Sequence, residues 1–263
     1  MKEKMNDIHP NAKIGLNVNI DSFTTIHEDV EIGEGTWIGS NVTIFNGARI
    51  GKNCRIFPGA VISAVPQDLK YEGEKTITEI GDNTTVREFV TINKGTNALG
   101  KTKVGSNCLL MAYVHVAHDC VIGDNVILAN SVNLAGHVTI EDWSILEGYV
   151  GVSQFVRIGP HSFIAGQTGV RKDVPPFVKA AREPLSYAGI NSVGLRRRGY
   201  TQESVNEIQE IYRIIYQQGY TVNKALGIVE QETATSPHRD RILAFIRSAE
   251  RGIMRGFNAI QQE

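Results

Sequence analysis

At 263 residues with 41% apolar side chains, the chain can bury a large core, so it needs neither disulfides nor metals to hold together. Charged residues make up 21%, aromatics 7%, and the net charge is −1, which excludes a polybasic nucleic-acid binder and a highly charged disordered chain. No run of eighteen apolar residues occurs, and MKEKMNDIHPNAKIG has no apolar stretch and no small-residue cleavage site, so a membrane span and a secretory signal are not expected and the chain reads as cytoplasmic.

From residue 12 onward the chain repeats with a period of six. Ile14, Ile20, Ile26, Ile32, Ile38, Ile44, Ile50, Ile56 and Ile62 fall in one phase, which resumes at Ile80, Val86 and Ile92 and then runs from Val104 to Val170. Of the 27 positions in that phase 24 are aliphatic, and the exceptions Asp68, Glu74 and Ala98 mark two loops, about 64–77 and 93–102. Two residues before each aliphatic sits Ala, Val, Thr, Ser or Cys, and all three cysteines belong to that set. An odd number of cysteines with no CxxC spacing argues against disulfides and a cysteine zinc site, and these three read as small packing residues.

Neither a helix, at 3.6 residues per turn, nor a simple strand, at 2, repeats at six, so the pattern demands short strands joined by regular turns. Three strands make a triangular coil of eighteen residues, and stacked coils form a parallel β-helix. Frequent glycine after the aliphatic, as at Gly15, Gly33, Gly51 and Gly105, reads as a turn residue chosen for unusual dihedrals.

The pattern stops at Asp173-Val174-Pro175-Pro176, and helical signals begin near residue 200. Thr201 is expected to cap a helix carrying Val205, Ile208, Ile211, Tyr212, Ile215 and Tyr216, closed near Gly219. Thr221 starts a second, and Ser236-Pro237 a third with Ile242, Phe245, Ile246, Ala249 and Ile253 on one face. Residues 1–170 hold 13 basic and 18 acidic side chains, residues 171–263 hold 14 and 10, so the tail is the basic half.

The repeat also works as a ruler, since residues eighteen apart stack at about 4.8 Å, the strand spacing. His118, Gly136 and Gln154 therefore share one edge, with Ser153 and His137 adjacent and His115 half a strand away. A side-chain-free residue between two polar ones leaves a notch. Histidine there suits proton transfer near neutral pH, and the Gly136 N–H suits an oxyanion, a combination fit for acyl transfer. A solvated surface histidine is the plain alternative for any one of them. A second is a zinc site built from His115, His118 and His137, as in the γ-class carbonic anhydrases of this fold.

Several segments in this order make the resemblance specific: Gln67-Asp68-Leu69-Lys70-Tyr71 with Gly73-Glu74, His115-Val116-Ala117-His118-Asp119-Cys120, Leu134-Ala135-Gly136-His137-Val138, Asp173-Val174-Pro175-Pro176 and Gly194-Leu195-Arg196-Arg197-Arg198-Gly199. The chain resembles, over essentially its whole length, the UDP-N-acetylglucosamine O-acyltransferases that begin lipid A synthesis. The resemblance implies a left-handed β-helix over residues 1–190 and a C-terminal helical domain over 191–263. It also implies a cofactor-free homotrimer with sites between subunits, moving an (R)-3-hydroxyacyl chain from acyl carrier protein to the sugar 3-hydroxyl.

By the same resemblance His118 matches the general base and Gly136 the oxyanion amide. Gln67, Asp68 and Lys70 in the first loop, with His115, His137, Ser153 and Gln154 around the notch, match substrate-binding positions. Ser153 stands where the family often has histidine. Asn191, Arg197 and Arg198 match positions near the nucleotide, where guanidinium suits phosphate. Gly166 matches the residue that closes the acyl groove in short-chain relatives, and with the small Pro184 it implies a chain of about fourteen to sixteen carbons. The sister N-acyltransferase of the pathway usually carries an extra N-terminal uridine-binding domain, for which a repeat starting at residue 12 leaves no room, and a non-catalytic scaffold has no need of the histidine notch.

Overall fold

The computed structural model describes residues 5–256, and the outermost residues of both expected domains, 1–4 and 257–263, lie outside it. The six-residue phase becomes a left-handed parallel β-helix, its faces three sheets of nine, eight and ten strands among the described residues. Most strands are only two residues long, as in Thr25–Ile26 and His115–Val116. Neighbours pair in parallel eighteen residues apart, Thr25 opposite Thr43 and His115 opposite Asn133. Inward-pointing Ile38, Ile56, Ile92, Leu110, Ile122 and Leu128 are fully buried, and so are Val42, Cys54, Ala60 and Val90 from the small set. Cutting one such aliphatic to alanine removes about 2–5 kcal/mol of stability, because the stacked coils above and below cannot collapse into the gap. The three cysteines are free and buried, and burial pushes the Cys108 thiol up to about 11 and the Cys120 thiol up to about 12, which leaves them unreactive thiols.

The glycine reading needs correction. None of Gly15, Gly33, Gly51 and Gly105 has a left-handed φ; that conformation falls two residues later, on Asn17, Gly35, Asn53 and Asn107. The glycines are demanded instead by the next coil. A Cβ on Gly33 would lie 2.5 Å from the Gly51 backbone carbon, and one on Gly105 2.4 Å from the Gly123 carbonyl oxygen. Their job is close approach, not turn geometry.

Across the first loop the paired strands lie thirty residues apart, Ile62 opposite Ile92, and across the second twenty-four, Ile92 opposite Val116. Twelve and six residues therefore leave the coil without shifting its phase. Both leave at the corner between the first and second sheets, so they converge on the edge that carries His118.

The last coil is closed by an antiparallel pair, Val178–Ala181 with Ser186–Ile190, and then by helices α1 (Ser192–Arg197), α2 (Gln202–Gln217), α3 (Val222–Glu232) and α4 (Pro237–Arg247). Thr201 and Ser236 cap α2 and α4 by accepting the N–H of Ser204 and Arg239, whereas Thr221 begins α3 without a side-chain bond. α4 ends before Ala249 and Ile253, which the sequence placed on its face. Gly252 turns left-handed, and Ile253 then bridges Asp173, with the Met254 N–H donating to the Asp173 carbonyl at 2.9 Å. No helix among the described residues is long and apolar enough to cross a membrane.

Candidate active site

The notch lies at the corner between the first and second sheets, where three successive coils each contribute one residue at the same position. Strand His115–Val116 runs into His118, Asn133–Leu134 into Gly136, and Gly151–Val152 into Gln154. A single concavity is lined by Gln67, His115, His118, Gly136, Ser153 and Gln154, so the stacking read from spacing alone is present in space. Gly136 is what opens it. A Cβ there would fall 2.6 Å from both Cε1 and Nε2 of His118, so any side chain would occupy the imidazole's own place. The Gly136 carbonyl accepts the Phe155 N–H at 3.2 Å, whereas its own N–H meets no backbone carbonyl among the described residues.

His118 is 4% exposed, and its Nδ1 lies 2.8 Å from Oδ2 of the wholly buried Asp119 carboxyl. An ionised carboxylate only accepts, so the ring proton sits on Nδ1 and Nε2 is left as a base facing the concavity. Burial alone would push the Asp119 carboxyl up, but hydrogen bonds from His118 and from the Thr96 hydroxyl and N–H outweigh it and hold the group below its ordinary value. Those donors come from the second loop: Thr96 N–H and hydroxyl at 3.0 and 2.7 Å, and Leu99 N–H at 3.2 Å. The loop that interrupts the repeat is thus a cradle for one carboxylate.

The remaining notch residues surround this pair. Asp68 brings Oδ2 to 3.9 Å from His118 Nε2, on the opposite side of the ring from Asp119, while the exposed Lys70 gives its backbone N–H to Asp68 at 3.0 Å. His115 shares a 2.7 Å hydrogen bond between its Nδ1 and Thr91 Oγ1, and desolvation lowers its basicity. His137 stacks on Phe155 at 4.5 Å and sets its Nε2 3.9 Å from the Asp119 carboxylate. The three histidines do not form a ligand set. Within 4.8 Å of one another stand His118, Asp119 and His137 rather than His115, and both Asp119 oxygens already accept hydrogen bonds.

Asn191, Arg197 and Arg198 are not at the notch within this chain. Arg197 ends α1 and Asn191 and Arg198 are its caps, and the helix packs at the corner between the second and third sheets. Asn191 caps that helix through Oδ1 and donates Nδ2 to the His161 carbonyl at 2.9 Å, so its amide is used at both ends. Arg198 lays its guanidinium 5.1 Å over Trp143, and Arg197 is exposed. Gly166 lies at the third corner, directly above Gly148, and gives its N–H to Glu147 Oε2 at 3.0 Å. Pro184, one coil further, lines a different pocket with Gly169, Arg171, Glu183 and Leu185.

Asp119 and Thr96 escaped the sequence reading. Asp119 had a visible signal, since it directly follows the histidine in HVAHDC; Thr96 had none, because it lies in a loop outside the strands that the ruler measures.

Known proteins resemble the chain in both its coil and its helical part. Residues 173–254 match the family described as Udp N-acetylglucosamine O-acyltransferase, domain 2, and residues 11–46, 29–64 and 101–136 match bacterial transferase hexapeptide repeats. An acyl-acyl-carrier-protein–UDP-N-acetylglucosamine O-acyltransferase from Chlorobaculum parvum is 53% identical over 97% of this chain and 100% of its own. The crystal structure of a UDP-N-acetylglucosamine acyltransferase from Bacteroides fragilis matches with a TM-score of 0.94 at 49% identity, covering 97% of this chain and 100% of that one. The enzyme of the same name from Francisella novicida matches at 0.94 and 41%, covering 98% and 95%. With one edge of histidines built as described and likeness of this order along both the coil and the helices, the chain belongs to the UDP-N-acetylglucosamine O-acyltransferase family.

Proposed function

We propose that the protein transfers an (R)-3-hydroxyacyl chain from acyl carrier protein to the 3-hydroxyl of UDP-N-acetylglucosamine, the first step of lipid A synthesis. One observation carries the reading: His118, anchored through Nδ1 to Asp119, turns a free Nε2 toward a position that Gly136 keeps clear of side chains. Nε2 removes the proton of the 3-hydroxyl as its oxygen attacks the thioester carbonyl, and the ionised Asp119 stabilises the imidazolium that forms. The Gly136 N–H donates to the oxyanion of the tetrahedral intermediate. Collapse expels the carrier-protein sulfur, which takes the proton back from His118.

Gln67, Asp68, Lys70, His115, His137, Ser153 and Gln154 hold the substrates around that centre. Arg197 and Arg198 act at the nucleotide of a neighbouring subunit's site in a homotrimer, with Asn191 holding their helix in place, which accounts for their distance from His118 within one chain. Turnover of UDP-N-acetylglucosamine with a series of 3-hydroxyacyl carrier proteins tests the whole reading. Absence of acyl transfer with every donor would refute it.

The donor is acidic, and the basic tail of residues 171–263 offers it a docking surface of net charge +4. The apparent KM for the acyl donor is therefore expected to rise several-fold between low and physiological salt, through screening over about 10 Å. A KM indifferent to salt would place the docking surface elsewhere.

Chain length follows from the glycine edge. Gly148 and Gly166 are stacked without side chains, so an acyl chain running along this edge meets no side chain at either position. Gly166→Met is expected to shift preference from a long donor to about ten carbons, leaving the chemistry at His118 intact. Its Cβ would meet the Gly148 carbonyl at 3.0 Å, so the corner must yield slightly. Unchanged preference for the longest donor, measured with competing donors, would show that the acyl chain runs elsewhere.

A further inference from the structure

We propose that Thr96 is a positioning residue for acyl transfer: its hydroxyl fixes the Asp119 carboxylate, which in turn fixes the His118 ring. The inference rests on His118 being the base. Thr96 lies in the second loop, 8% exposed, and directs its hydroxyl proton to Asp119 Oδ2 at 2.7 Å, the same oxygen that receives His118 Nδ1–H at 2.8 Å. The direction of that proton is settled by its neighbour, since the Ala98 N–H donates to the Thr96 oxygen at 3.2 Å and leaves the hydroxyl to donate onward. Thr96 N–H and Leu99 N–H complete the cradle on Oδ1.

A purely structural role for the hydroxyl is poorly supported by the loop itself. The loop is closed by backbone bonds that do not involve it, Gly100 N–H to Thr96 carbonyl at 2.7 Å and Gly95 N–H to Ile77 carbonyl at 3.2 Å. Asp119, by contrast, needs external support. Its backbone is left-handed at φ 58°, its N–H is used on Thr102 Oγ1, and its side chain is wholly buried, so the carboxylate orientation depends on what the loop donates.

Removing the hydroxyl has a definite sign. The titratable groups facing Asp119 are His118, His137 at 3.9 Å and the Cys120 thiol; Asp68 faces His118 from its other side at 3.9 Å. With one donor fewer, the Asp119 carboxylate is less stabilised and its pKa rises. A carboxyl that protonates more readily no longer holds the His118 Nδ1–H, so the acid limb of the kcat profile moves to higher pH.

The test is Thr96→Val in the full-length enzyme, assayed for kcat and both KM values across pH, with Thr96→Ser as the conservative control. Thr96→Val is expected to lower kcat roughly tenfold with both KM values unchanged and the acid limb displaced upward, and Thr96→Ser to restore both readouts. Wild-type kcat with an unmoved acid limb in folded Thr96→Val, or a Thr96→Ser enzyme as poor as the valine variant, would overturn the proposal. If Thr96→Val does not fold, Thr96→Ala deletes the same hydroxyl without the added methyl and carries the same expectation. A His118→Ala enzyme measured alongside separates the two ideas: normal turnover there refutes the base itself, whereas an inactive His118→Ala beside a normal Thr96→Val refutes only the role of Thr96.

Discussion

His118→Ala is expected to give a folded protein with turnover at least about a hundredfold lower, the usual contribution of a positioned general base. The sugar hydroxyl must lose its proton as it attacks, and the nearby groups substitute poorly. Asp119 keeps the Thr96 hydroxyl and N–H and the Leu99 N–H as donors in the variant, and these still disfavour its taking a proton. His115 is engaged by Thr91, and His137 lies flat against Phe155. The loss is expected in kcat, with little change in KM for UDP-N-acetylglucosamine, since the imidazole proton transfer is made only in the transition state. Stability should fall by less than a core truncation costs, because the notch admits water to the vacated site. Steady-state kinetics beside a thermal melt decides it: near-normal turnover in a folded variant would show that the base is elsewhere.

How much of this was legible beforehand depends on what the repeat can measure. The aliphatic phase announces the coil because one inward position recurs every six residues, and nothing except a stacked core rewards Ile at each of them. The same phase brings His118, Gly136 and Gln154 together, since the rise per coil is fixed by backbone hydrogen bonding. It measures only along an edge. It has no reading across the triangle, which is why it does not report the separation of Asn191, Arg197 and Arg198 from the notch. It is equally silent on loops: Thr96 reaches Asp119 from 23 residues upstream through a segment that has left the coil. The glycines show a different limit. Composition reports that a side chain is excluded but not whether dihedral or neighbour excludes it, and here the neighbour does. Helix α1 is six residues long with no acidic residue in its first turn, too short for a period of 3.6 to register.

Gly136 makes the second strong expectation, because two requirements meet on one residue. In the proposed mechanism its N–H donates to the oxyanion, and its missing side chain leaves room for the ring of His118. A methyl group there would lie 2.6 Å from Cε1 and Nε2, closer than carbon and nitrogen can approach, so either ring or backbone has to move. The backbone is the stiffer partner. It is bracketed by ladder bonds from Ala135 N–H to the Val152 carbonyl at 3.0 Å and from Phe155 N–H to the Gly136 carbonyl at 3.2 Å. The ring gives way instead, and it does so against its 2.8 Å bond to Asp119. Gly136→Ala should therefore preserve the fold, since the displaced group faces an open concavity, while shifting Nε2 by a substantial fraction of an ångström. Displacement on that scale costs about a hundredfold in rate when the displaced atom must meet a reacting proton. Removing the ring in the same background separates the two requirements. If Gly136→Ala acts by pushing the imidazole, adding it to His118→Ala should cost little more, because the ring it displaces is already gone; two full and multiplicative losses would instead assign its effect to the oxyanion amide alone.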